Sequence, residues 1–153
     1  VEDFRNGKPP IQLSFNTVGI VLDSRNSSNG WIAQYYQSSG ININTWYAIY
    51  GSIDPASTSN RNLFIQELNS STVTTVPINS GRQSTGSWDT NFYDSTTSMG
   101  YWARGYNSSI NWEGKASDLW FEWGTYRDFS VASTRQKFIS SSGVPQDLGS
   151  DGS

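Results

Sequence analysis

Residues 112–123 read W-E-G-K-A-S-D-L-W-F-E-W, and the second half of that stretch decides the fold class. Leu119, Phe121 and Trp123 alternate there with Asp118, Trp120 and Glu122. A period of two belongs to a strand with one face buried and the other mostly wet. Gly114 marks a bend where the strand begins, and Gly124 ends it. Three large apolar side chains on one face need a second sheet to cover them, because one or two strands alone are not stable in water.

The same pattern recurs outward along the chain. Ile11, Leu13 and Phe15 alternate, a turn follows near residues 16–19, and residues 20–22 are again apolar, which predicts a hairpin. Residues 24–30, S-R-N-S-S-N-G, have loop composition. Residues 31–37 form a third strand with apolar groups on both faces. The longest strand signal is N-T-W-Y-A-I-Y-G-S-I-D at residues 44–54, with Tyr47, Ile49, Gly51 and Ile53 opposed to Trp46, Ala48 and Tyr50. A turn-rich segment at 55–61 leads to a strand at 62–68. Residues 72–78, dense in Thr and Val, predict another strand, with Pro77 near its end as at a sheet edge. Residues 79–98 read as a long loop holding Trp88, Phe92 and Tyr93, and residues 99–104 return to strand. The one helix is expected over residues 130–140, with Ser130 as N-cap and Val131, Phe138 and Ile139 on its apolar side. The sum is an all-β domain over residues 1–140, two antiparallel sheets packed face to face, followed by a Gly- and Ser-rich tail or linker at 141–153.

Composition narrows the chemistry. The 153 residues carry a net charge of −3 and contain no Cys and no His. Thiolate chemistry, Ser-His and Cys-His nucleophile pairs and most zinc sites are thereby excluded. There is no basic cluster of the kind that binds nucleic acid, so no nucleic-acid partner is expected. No apolar run nears the roughly 20 residues of a membrane-spanning helix, so no membrane insertion is expected. The opening V-E-D-F-R-N-G-K-P-P lacks the regions of a signal peptide.

Two segments resemble the laminin-G-like, concanavalin A-like jelly roll. The first is N-T-W-Y-A-I-Y-G-S-I-D followed by L-F-I-Q-E-L, similar to that family's Trp-centred strand, turn and next strand. The second is Y-W-A-R-G followed by W-E-G-K-A-S-D-L-W-F, similar to its Gly-containing strand and the aromatic strand after it. The closing residues, from F-S-V-A-S-T-R-Q-K-F-I onward, are similar to tails that follow such domains in phage and bacterial proteins. The family's usual opening strand with an F-x-x-W-type element is absent. The resemblance implies a two-sheet jelly-roll sandwich with one short helix near the C-terminus. It also implies a part of a larger phage virion or bacterial surface protein, extracellular or on the virion surface.

Three chemistries were weighed against this frame. Glycoside hydrolysis needs two carboxylates facing each other across a cleft, and the E-x-D-x-x-E pattern of jelly-roll glycosidases is absent, so no enzyme is expected. Calcium needs six to eight oxygens; Asp89, Asn91 and Asp94 are the nearest local set and read more readily as a polar turn, so no cofactor is expected. Carbohydrate recognition needs flat aromatic faces beside planar amide, carboxylate or guanidinium groups. Trp88, Asp89, Asn91 and Tyr93, with Arg104, Tyr106 and Asn107, supply those groups in loop-like surroundings, whereas Trp46, Trp120 and Trp123 are assigned to packing or sheet faces. Asn26, Asn69 and Asn107 each open an N-x-[ST] sequon, which matters only in a secretory eukaryote. The expected function is a non-catalytic recognition or adhesion module for a glycan or cell-surface polymer. The alternative is a structural virion protein, a capsid decoration or tail fibre, acting through neighbouring protein chains; glycoside hydrolase ranks third.

Overall fold

The computed structural model describes residues 11–15, 19–26, 30–42, 44–87 and 124–149, together with Lys115, Ser117, Trp120 and Glu122. Apart from those last four, the stretch from 112 to 123 lies outside the described residues, as does the strand expected at 99–104.

The predicted hairpin is present: β1 (Ile11–Phe15) pairs antiparallel with β2 (Ile20–Arg25), with Leu13 opposite Leu22. Strand β3 (Trp31–Gln37) pairs with β2, and the turn between them closes on Asn26, whose Oδ1 accepts from the Gly30 N–H at 2.7 Å. Strands β4 (Tyr47–Ile53) and β5 (Arg61–Glu67) form the longest unbroken ladder, from Tyr47 opposite Glu67 to Ile53 opposite Arg61. Strand β6 (Val73–Thr75) pairs with β5, and β7 (Ile78–Gln83) pairs with β3. The result is a four-stranded sheet in the order β1-β2-β3-β7 and a three-stranded sheet in the order β4-β5-β6. The protein is all-β in character, with a single short helix, α1 (Ala132–Arg135), among the described residues.

Two expectations are corrected between residues 72 and 98. The Thr/Val run is two strands in different sheets, and the loop expected from residue 79 begins as β7. Pro77 is the physical reason, since a residue without an N–H cannot continue a ladder. Val76 still donates to the Leu63 carbonyl of β5 at 2.9 Å, while the Pro77 carbonyl accepts from Tyr36 of β3 at 3.1 Å. The chain changes sheet at that peptide.

Between the sheets lies a core of Ile20, Ala33, Tyr35, Leu63, Ile65 and Val76, with Leu22, Ile49 and Ile53 packed around it. This is the face-to-face packing of a β-sandwich. The other face of the three-stranded sheet is covered as well. Tyr50 and Phe64 meet Phe129 and Ile139 there, with Ala48, Val73, Trp120 and Phe138 alongside. Trp120 stands edge-on to Phe138 with ring centroids 4.8 Å apart. Strand β5 is therefore buried on both sides, and Asn62 to Gln66 are all buried. Of its polar members, Gln66 is held at both ends: it accepts from the Tyr50 hydroxyl at 3.0 Å and donates to the Ser70 carbonyl at 2.6 Å. Trp46, assigned to packing or a sheet face, stands 49% exposed just before β4.

The C-terminal cover departs from the predicted helix. Ser130 is not its cap; its N–H is taken by the Asp128 carboxylate at 2.9 Å, and α1 lasts one turn. Ile139 then bridges to Pro145. Gly143, at φ +82°, presses its backbone onto the 69–70 turn, with Asn69 donating to its carbonyl at 3.0 Å.

Arg61 fastens the two sheets at one end. Its guanidinium donates to the carbonyl oxygens of Ile32, of Pro55 at 3.3 Å and of Ser84 at 2.7 Å, and its Nε to that of Asp54 at 3.3 Å. Nearby, burial holds the Tyr35 phenol well above its ordinary range, opposed in part by Arg61. The Tyr35 hydroxyl has no hydrogen-bond partner among the described residues.

Two predictions follow from this packing. A Cβ on Gly143 would sit 2.5–2.8 Å from backbone atoms of Ser70 and Asn69, whereas one on Gly124, at φ +87°, would meet nothing within 4 Å among the described residues. Gly143→Ala should therefore cost about 3 kcal/mol or more, against about 1 kcal/mol for Gly124→Ala, measured by urea unfolding. Second, Tyr35 and Tyr50 both hold their protons more tightly when folded, chiefly through burial. The unfolded chain releases those protons near pH ~10, so stability is full below that value and falls as pH rises through it. Tyr35→Phe should flatten this alkaline loss. At about pH 7 it should leave stability unchanged or raise it by up to ~1 kcal/mol, since the hydroxyl it removes is unpaired.

Candidate functional site

Strands β2 and β3 set the outer face of the four-stranded sheet by alternation. Leu22 and Ser24, opposite Tyr35 and Ala33, face the core, so Val21 opposite Tyr36 and Asp23 opposite Gln34 face outward. The register shifts after Ser24, so that Arg25 pairs with Trp31 and Ile32 is the extra residue. A bulge of this kind re-aims the side chains beyond it.

Its effect is to bring a polar and aromatic cluster together. Gln34, only 7% exposed, donates through Nε2 to Asp23 at 2.8 Å. Its Oε1 accepts from Asn79 at 3.2 Å and from Arg82 Nη1 at 3.0 Å, both on β7. The Arg82 guanidinium also lies 4.9 Å from the Trp31 ring centroid, and that of Arg25 lies 3.4 Å from it. Trp31 therefore shares the outer face with Gln34 and is stacked with guanidinium. Two residues from Gln34 along β3, about 7 Å away at strand rise, Tyr36 is 47% exposed on the same face. The patch thus runs from an open aromatic ring, through a carboxylate–amide fork, to two cations.

Its electrostatics are uneven. Burial depresses the Arg25 pKa, the neighbouring Asp23 carboxylate opposes that, and the Arg82 charge adds to it. The Arg25 guanidinium nevertheless stays protonated at neutral pH. Arg82 is exposed, and its hydrogen bond and ring contact are with neutral groups.

A second opening lies at the mouth of the sandwich, a cleft of about 280 Å³ lined by Tyr47, Glu67, Thr72 and Thr74. It offers one carboxylate and several hydroxyls. Elsewhere, Glu122 is engaged by Arg127 in an ion pair, and the buried Asn62 amide donates to the Tyr126 hydroxyl at 2.9 Å. Among the described residues no three acidic side chains gather as a metal site.

No known protein family, curated protein or solved structure matches the chain. The site residues expected from sequence, Trp88, Asp89, Tyr93, Arg104, Tyr106 and Asn107, lie outside the described residues, as do Asn91 and Asp94 of the calcium set. The outer-face cluster was missed in sequence because Trp31, Gln34 and Tyr36 read simply as strand, and Asn79 and Arg82 as loop. The available signal was a Gln and an Asp in register-compatible positions of adjacent strands, the Gln beside an aromatic residue.

The two arginines should differ in structural weight. Arg82→Ala should change unfolding free energy by no more than about 0.5 kcal/mol, since it is exposed and its loss also removes repulsion with Arg25. Arg25→Ala should cost about 1–3 kcal/mol, because a largely buried guanidinium leaves the Trp31 face. Urea titration of both variants checks the pair.

Proposed function

We propose that this domain is a non-catalytic recognition module for saccharides. The observation that carries the reading is the outer-face patch, where exposed Tyr36 adjoins the interlocked Asp23, Gln34, Asn79 and Arg82. A sugar ring presents an apolar face to an aromatic plane and vicinal hydroxyls to its edges. A carboxylate–amide–guanidinium group held by its own hydrogen bonds meets those hydroxyls with little further ordering cost. Among the described residues the patch holds one carboxylate, Asp23, which suits binding, whereas acid–base hydrolysis uses two.

The reading extends to the parent protein: a laminin-G-like, concanavalin A-like jelly roll belonging to a phage virion or bacterial surface protein. The change of sheet at Pro77 supports the jelly-roll part, since such sandwiches pass the chain repeatedly between sheets. A second reading, structural assembly through neighbouring chains, is favoured by Leu13. It pairs with Leu22 on the side of β1 that turns toward the core, yet is 43% exposed. An apolar residue so placed suits a neighbouring chain.

One sample decides between them. The folded protein should be a monomer by light scattering and bind members of a saccharide panel. Tyr36→Ala and Asn79→Ala, both at exposed positions, should each weaken that binding about ten-fold or more. A folded sample that binds no saccharide at millimolar concentration, and that self-associates as concentration rises, would replace the recognition reading with the assembly one.

A further inference from the structure

We propose that a small cleft beside the C-terminal cover binds a tetrahedral oxyanion, a phosphate or sulfate group. The cleft, of about 110 Å³, lies against the covered side of the three-stranded sheet, apart from the outer-face patch. Gln66, Ser71 and Val73 line it from β5 and β6, and Arg135, Gln136 and Ser141 from the cover. Among the described residues that line it, Arg135 is the one charged group, and no carboxylate is present. Asp128 does not line the cleft. Its carboxyl is held below the usual carboxylate range chiefly by the bonds from Ser130, and Arg135 contributes least to that shift.

The donors of the cleft fit such an anion. Arg135 is anchored through Nη1, which donates to the carbonyl oxygens of Phe129 at 2.5 Å and Ser130 at 2.8 Å, and its guanidinium lies 5.4 Å from the Phe64 ring centroid. Its Nε and Nη2 make no hydrogen bond among the described residues, and neither do the hydroxyls of Ser71 and Ser141 or the Gln136 side-chain amide. Nε and Nη2 are the pair that grips two oxygens of an oxyanion in parallel bonds. A carboxylate has only those two oxygens, whereas a tetrahedral anion offers more for the hydroxyls and the amide. The volume is that of roughly three or four waters at ~30 Å³ each, room for one such group and not for a sugar ring. Ser71 follows the turn on which Gly143 presses. An anion held by Ser71 and Arg135 therefore ties that turn to the cover, beside the bond from Asn69 to the Gly143 carbonyl.

The test follows thermal unfolding of the intact protein in sodium phosphate and in sodium sulfate, against sodium chloride of equal ionic strength, with calorimetric titration of each salt. Binding should saturate at roughly millimolar anion and raise the unfolding midpoint, as a ligand of the folded state does. Ser71→Ala and Ser141→Ala, both at exposed positions, should fold normally and each weaken binding about ten-fold. Arg135→Gln should abolish it; because Arg135 also anchors the cover, the two serine variants carry the test if that protein does not fold. Phosphate and sulfate monoesters of a sugar, titrated alongside, separate the sources. Tighter binding of an ester supports a group carried on a larger molecule, and binding of the inorganic ions alone supports the free anion. Equal midpoints in all three salts would overturn the proposal. So would a rise that never saturates or that persists unchanged in both serine variants, since phosphate and sulfate also stabilise proteins generally by exclusion from their surface.

Discussion

The Arg61 guanidinium is the constraint on which the rest of this structure depends. It stands at the start of β5, in the three-stranded sheet, yet reaches the Ile32 carbonyl in β3 and the Ser84 carbonyl just past β7. Burial depresses its pKa, and the neighbouring Tyr35 and Asp54 oppose that shift. A half-buried cation of this kind is tolerable because its donors meet backbone carbonyl oxygens, each of which can accept a second hydrogen bond. One side chain thus meets the hydrogen-bond needs of two sheets at the end where the chain leaves β4 and β7. It also acts at a distance from its own strand. Ile32 is the extra residue of the β2–β3 bulge, so the bond from Arg61 anchors the irregularity that brings Arg25 opposite Trp31. Sandwich closure and site geometry share a single fastening.

Strand β5 shows the complementary economy on the hydrophobic side. Leu63 and Ile65 close the inter-sheet core, while Phe64 between them meets Tyr50 and the C-terminal cover. A strand buried on both faces gains twice the apolar area of a surface strand, and its polar residues must be answered inside the protein. Gln66 is answered by Tyr50 and Ser70, and Ser70 sits in the turn that Gly143 presses against. The network explains why residues beyond α1 return to the body of the domain. They cover Phe64 and Tyr50, and the close approach they need admits only a glycine at position 143.

Between residues 11 and 67, strand existence was legible in the sequence where period-2 alternation was clean. The hairpin, β3, β4 with its two faces, and β5 lie within a few residues of where alternation places them. What alternation does not encode is which sheet a strand joins. Val73–Thr75 and Ile78–Gln83 are separated only by the Val76–Pro77 dipeptide, and only tertiary pairing shows that they part company there. The helix was overextended because Phe138 and Ile139 have helical spacing from Arg135 but are buried through a bridge and a turn instead. The patch was hidden for a related reason. Its members come from β2, β3 and β7, and the bulge that assembles them is a feature of register, which single-strand patterns do not carry.

The two aromatic residues of the patch show why exposure, rather than residue type, assigns their roles. Trp31 has the larger ring and would be the first choice for a stacking platform, but a guanidinium already lies 3.4 Å from its centroid. A ligand would have to displace that cation and leave it desolvated beside Arg82, a cost that stacking on indole does not recover. Tyr36 has no such occupant and stands 47% exposed. The indole is therefore a support for the two guanidiniums, and the phenol is the aromatic ring that stands open on this face.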